Sequence, residues 1–220
     1  APDGAVPGGE AAGPGTLTRQ QAIENAPRVP ITTERLSGSI NLRGGRIDDL
    51  RLNDFHETVD PTSPTIVLLS PASAPNGYFA EFGWIAGADT GAVPGPDTVW
   101  TAPTVAELTA ASPVTLSYDN GEGLVFERTI AIDTDYMFTV TDTVRNSTDG
   151  AVAVTPYGRI TRFNEPTIEG WFILHEGMIG VIGDEGLEEV DYSDLEDNPT
   201  MDLPAASRGW LGIPDKYWAT

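Results

Sequence analysis

The 220-residue sequence predicts an all-β, antiparallel fold with few short helices. Three observations carry that expectation. Apolar residues recur with a period of two over much of the chain, the pattern of strands with one buried and one solvated face. Gly (24) and Pro (18) together make up about a fifth of the residues and interrupt the chain at short intervals, which favours short strands over long helices. Hydrophobic residues reach 40%, enough to furnish a core at this length.

The elements follow in order. Residues 1–16 (APDGAVPGGEAAGPGT) contain 12 Ala, Pro or Gly and bury too little apolar surface to offset their ordering entropy. A flexible tether is expected there, running on to residue 30, with the folded domain over 31–220. Leu17 to Asn25 suits a helical turn or two before Pro27 and Pro30. Strands are expected at Ser39–Leu42, Arg46–Leu52, Thr65–Leu69 and Tyr78–Ala86, with a bulge where Asp48 and Asp49 break the alternation between Ile47 and Leu50. Asn76 to Pro103, rich in Gly, Pro and Asp, reads as a long surface excursion.

Val114, Leu116 and Tyr118 then alternate with polar residues. Asp119 to Gly123 (DNGEG) turns the chain into a strand from Leu124 to Ile132. Tyr136, Phe138, Val140 and Val144 share one face of the next strand. Asn146 to Gly150 turns again into Ala151–Ile160, so these strands are expected to form one antiparallel meander. Residues 163–207 hold twelve Asp or Glu and no Lys or Arg. Their densest part, Asp184 to Asp197, reads as an irregular solvated segment with short helical pieces. The end of the chain reads as a strand at Gly209–Ile213, a Pro214-Asp215 turn, and a strand starting at Tyr217.

Composition excludes several functions. The formal net charge is −21, from 33 acids and 12 bases, and Lys216 is the sole lysine. Such a field repels phosphate backbones and anionic head groups, so no nucleic-acid partner is expected, whereas a basic partner is compatible with it. The absence of cysteine excludes disulfides, thiolate metal sites and cysteine nucleophiles. No segment approaches the roughly 20 apolar residues of a membrane span, and the N-terminus carries no signal-peptide pattern. Any membrane segment of a parent protein is therefore expected outside this chain.

The run Gly38 to Leu50 (GSINLRGGRIDDL), followed by Glu57 to Pro64 (ETVDPTSP), resembles the start of the large periplasmic domain of alphaproteobacterial YidC-type insertases. Tyr78 to Trp84 (YFAEFGW) and Gly209 to Trp218 (GWLGIPDKYW) match the same domain in order. The resemblance implies a β-supersandwich similar to galactose mutarotases. It implies a parent embedded in the bacterial inner membrane that inserts and folds membrane proteins, alone or with the Sec translocon. Nascent membrane proteins and the auxiliary subunits of the translocon are then the expected partners. The family domain extends past the position of residue 220, so the sandwich is expected to be incomplete.

No catalytic constellation is expected, nor any cofactor or metal. Mutarotation needs an acid and a base on opposite sides of a sugar ring, and neither His56 nor His175 lies in the mutarotase strand motif. The acidic run Asp184 to Asp197 lacks the ligand spacing of a calcium loop. Asn146-Ser147-Thr148 fits a glycosylation sequon but also an ordinary turn. Gly44-Gly45 lies between strands rather than in a phosphate-binding context, and no nucleophile elbow is present. Trp84, Trp100, Trp171, Trp210 and Trp218 read as core or rim rather than a sugar platform. The rival reading is a periplasmic carbohydrate-binding or mutarotase-like domain, and a fragment of a secreted adhesin is a third. The candidate site is an electrostatic partner contact through Glu185, Glu188, Glu189, Asp191 and Asp194.

Overall fold

A computed structural model describes residues 17–88, 90–165 and 175–220. The expected tether over 1–16 and the residue Trp171 lie outside them. The chain divides into two compact units, one ending at Phe163 and the other formed by Asn164–Thr220.

The first unit opens with helix α1 (Arg19–Glu24). Its N-terminus is closed by a capping box. The Thr18 hydroxyl accepts the Gln21 N–H at 3.3 Å, and the Gln21 side chain accepts the Thr18 N–H at 2.9 Å. Nine strands follow: β1 (Arg28–Thr32), β2 (Leu36–Asn41), β3 (Arg46–His56), β4 (Thr65–Leu69), β5 (Tyr78–Ala86), β6 (Val114–Asp119), β7 (Leu124–Ile132), β8 (Phe138–Asn146) and β9 (Val154–Arg162). Helix α1 and the start of β1 thus fall within residues 17–30, ahead of the expected domain boundary. β1 tolerates Pro30 because it is an edge strand, where a missing donor costs no ladder bond. The Pro30 carbonyl still accepts the Leu108 N–H at 2.9 Å.

All strand pairs are antiparallel. One sheet has the order β1-β2-β3-β5-β9, with β4 also on β3, and the other has the order β6-β7-β8. The bulge expected at Asp48-Asp49 is present: Ser39 faces Asp49 while Ile40 faces Ile47, leaving Asp48 as the extra residue. Gly38 is required beside it, because a Cβ there would overlap the Asp49 carbonyl of the paired strand.

The meander differs from expectation in its last strand. β9 leaves β8 and pairs with β5 along its whole length, from Tyr78 opposite Arg162 to Ala86 opposite Val154. Small residues make that pairing possible: the Tyr157 ring lies over Gly83, and the Phe82 ring over Gly158. Tyr136 also departs from the expected strand face. It sits before β8 with φ of 73°, inside a turn in which the Asp133 carboxylate accepts the Asp135 and Met137 N–H groups.

The two sheets pack face to face as a sandwich. Trp84 of β5 meets Phe126 of β7 at a centroid distance of 5.8 Å. β7 alternates strictly, burying Leu124, Phe126, Arg128, Ile130 and Ile132. Trp100, from the excursion before β6, is also buried, so that stretch contributes to the core.

The second unit corrects the expectation of an irregular acidic segment. β10 (Gly177–Ile182), β11 (Leu187–Asp191) and β12 (Gly209–Gly212) form an antiparallel sheet of order β11-β10-β12. Helix α2 (Tyr192–Asp197) follows β11. Leu187 and Val190 pair with Val181 and Met178 of β10, and the glutamates between them stay solvated. After β12, a turn joins Ile213 and Thr220 through reciprocal backbone bonds of 2.8 and 3.1 Å, as the Pro214-Asp215 signal predicts. Among the described residues no helix is long and apolar enough to cross a membrane.

Candidate interaction surface

The five candidate acids all lie in the second unit and all are exposed. Glu185 occupies the β10–β11 turn, where its N–H donates to the Ile182 carbonyl at 3.2 Å. Glu188 faces Gly180 and Glu189 faces Ile179 across the ladder, and side chains alternate along a strand, so these neighbours point to opposite sides of the sheet. Asp191 precedes α2, and the Asp194 carboxylate accepts the Asp191 N–H at 3.3 Å. Asp194 is therefore partly engaged in closing its own helix.

The structure brings some of these acids together and leaves others apart. Glu189 and Asp191 line an open depression of about 710 Å³ with Glu165, His175, Glu176, Tyr192, Ser193 and Glu196. Glu185, Glu188 and Asp194 lie outside it. His175 is the cation-capable group there: Nδ1 lies 3.2 Å from the Asp191 carboxylate and Nε2 lies 2.8 Å from the Met178 carbonyl. Arg208, just past the base-free stretch, forms an ion pair with Asp184 where β12 comes alongside β10. The acidic segment is thus less uncompensated than its sequence implied.

His56 ends β3, and its Nδ1 lies 2.7 Å from the Ser63 carbonyl in the β3–β4 connection. Among the described residues no cluster of His, Asp and Glu is arranged to hold a metal ion. Asn146 is used by its turn: its side-chain oxygen accepts both the N–H and the hydroxyl of Thr148, at 2.9 and 2.7 Å.

Sequence reasoning missed the buried ionic groups of the first unit. Asp48, Asp49, Glu81 and Arg128 are all buried. Asp48 accepts from Arg28 at 2.7 Å and from Asn41 at 2.9 Å, and Asp49 accepts from Arg19 and Ser39. Glu81 stands between Arg46 and Arg159, one on each neighbouring strand. Burial pushes the nearby Tyr157 phenol above its ordinary pKa, and the Glu81 carboxylate adds to the shift. Burial likewise lowers Arg19, against the opposing pull of Asp49. A signal was present for Arg128, which occupies an inward position in the run Leu124, Phe126, Arg128, Ile130, Ile132.

The family described as the YidC periplasmic domain matches residues 28–220. The membrane protein insertase YidC of Rhizobium johnstonii is 55% identical over 217 residues, covering 98% of this chain and 36% of its own length. That of Rhizobium meliloti is 51% identical over 219 residues, with coverage of 100% and 37%. That of Methylobacterium nodulans is 50% identical over 225 residues, with coverage of 98% and 37%. The chain therefore spans little more than a third of the length of these relatives. With a match over nearly its whole length and identities of one half or more, the chain belongs to the YidC periplasmic domain family.

Proposed function

We propose that this domain is the extracytoplasmic docking part of a multi-pass inner-membrane insertase and supplies no reacting group to its work. The carrying observation is the family match over residues 28–220, together with relatives named as membrane protein insertases. In this reading the parent protein inserts and folds nascent membrane proteins, alone or with the Sec translocon. In the same reading, the residues ahead of helix α1 lead from a transmembrane helix outside this chain.

Glu185, Glu188, Glu189, Asp191 and Asp194 then contribute an electrostatic contact with a basic periplasmic portion of a translocon subunit. Their exposure and the formal net charge of −21 support this reading. Exposed rim charges mainly speed encounter, and each is worth about 0–1 kcal/mol. The test neutralises all five to Asn or Gln in the full-length protein and measures association with the translocon at low and moderate salt. Weaker association at low salt, with the difference shrinking as salt rises, is expected. Equal association at both, with the fold intact, would leave these acids as a solvated surface.

A further inference from the structure

Helix α1 has six residues, buries only Ala22, and carries neither an acid in its first turn nor a base in its last. A helix so short is not stable by itself, so contacts outside it must hold it in place. Its C-terminal end is fixed to the sheet. Arg28 of β1 donates from Nε to the Ile23 carbonyl at 2.9 Å, and the Leu42 N–H donates to the Pro27 carbonyl at 2.9 Å. Its N-terminal end is held through Arg19, which donates from Nη2 to Asp49 and, at 3.3 Å, to the Leu69 carbonyl.

That second attachment is opposed by desolvation. The Arg19 guanidinium is largely removed from water, its Nε is buried without a partner among the described residues, and the cations of Arg51 and Arg28 oppose it. Desolvation of this kind offsets much of the attraction in a part-buried ion pair. Asp49 does not depend on Arg19 alone, because it also accepts the Ser39 hydroxyl at 2.6 Å. Detaching α1 therefore returns one cation to water, exposes Ala22 with the half-buried Leu17, Ile23 and Ala26, breaks the bonds to the Ile23 and Pro27 carbonyls, and leaves Asp49 with a donor.

We propose that α1 is a releasable strap, whose Arg19–Asp49 contact holds residues 17–27 against the β2–β3 bulge and whose opening adds that stretch to the connection preceding β1. Eleven released residues reach up to about 40 Å when fully extended. If the preceding residues lead to a membrane helix, as proposed above, the strap sets how far the domain stands from the bilayer. The opening itself does not depend on that reading, and it is measured in this chain.

The test is amide hydrogen exchange followed residue by residue. In the wild type, the amides of Ala22 to Asn25 should exchange at least about 100-fold faster than those of Ser39, Ile40 and Leu50, because they open locally rather than with the sheet. Arg19→Gln should speed the α1 amides by about another 10-fold and leave the sheet amides unchanged. Wild-type α1 amides exchanging in step with the sheet would overturn the proposal. So would α1 amides indifferent to Arg19→Gln, or a variant in which sheet and helix amides quicken together.

Discussion

Arg128 donates from Nε and Nη2 to the two carboxylate oxygens of Asp142, at 2.8 and 2.9 Å, across directly paired positions of β7 and β8. The guanidinium is fully buried and lies 4.9 Å from the Trp100 ring and 5.6 Å from the Phe82 ring. It joins the two sheets by stacking on one while pairing on the other. Asp142→Ala would strand a buried cation and should cost about 3–5 kcal/mol. The double variant Arg128→Met/Asp142→Leu removes both charges and should recover most of that loss. Urea unfolding of the single and double variants checks this, and a near-neutral Asp142→Ala would contradict it.

Gly38 offers a sharper steric test. A Cβ at this position meets the Asp49 carbonyl in the paired strand, with no flexible side chain able to yield. Gly38→Ala should therefore destabilise by about 3 kcal/mol or more, whereas Gly95→Ala, which opens into free space, should stay within about 0.5 kcal/mol. Thermal melts of the two variants, compared with the wild type, read the difference directly.

The raised pKa of Tyr157 sets an alkaline dependence. Burial holds the phenol neutral in the folded state, so its folded pKa exceeds its unfolded value. Its contribution is fully present below the unfolded pKa and is lost as pH rises through the folded one. Wild type should lose more stability than Tyr157→Phe between about pH 8 and about pH 11. The urea midpoints of the two proteins across that range test this, and parallel losses would show that the phenol carries no such linkage.

How far the sequence reaches is clear from particular elements. β6, β7 and β8 were legible because each alternates and a tight turn joins it to the next, which makes pairing local. The partner of β9 was not legible, because it depends on Gly83 and Gly158 giving way to rings from the other strand, a relation some 75 residues apart in sequence. The acidic hairpin of β10 and β11 was hidden by charge density, since the apolar side of its pairing belongs to β10. The Arg–Asp contacts at the bulge were invisible for the same reason as β9: the bulge itself showed in the sequence, but the cations that neutralise it come from α1 and β1. The five candidate acids are exposed, and that Glu188 and Glu189 point to opposite sides of the sheet required the register.

The proposed function has this domain serve insertion through its surfaces rather than through chemistry. It is tested most directly with the full-length protein in reconstituted membranes, comparing wild type with His56→Gln/His175→Gln. The His56 Nδ1 lies against the Ser63 carbonyl, and the His175 ring nitrogens lie against the Asp191 carboxylate and the Met178 carbonyl. On the proposed function, insertion of a client membrane protein should therefore proceed at the wild-type rate, and the isolated domain should show no aldose mutarotation. Loss of insertion by a variant that remains folded, or measurable mutarotation by the domain, would contradict the account.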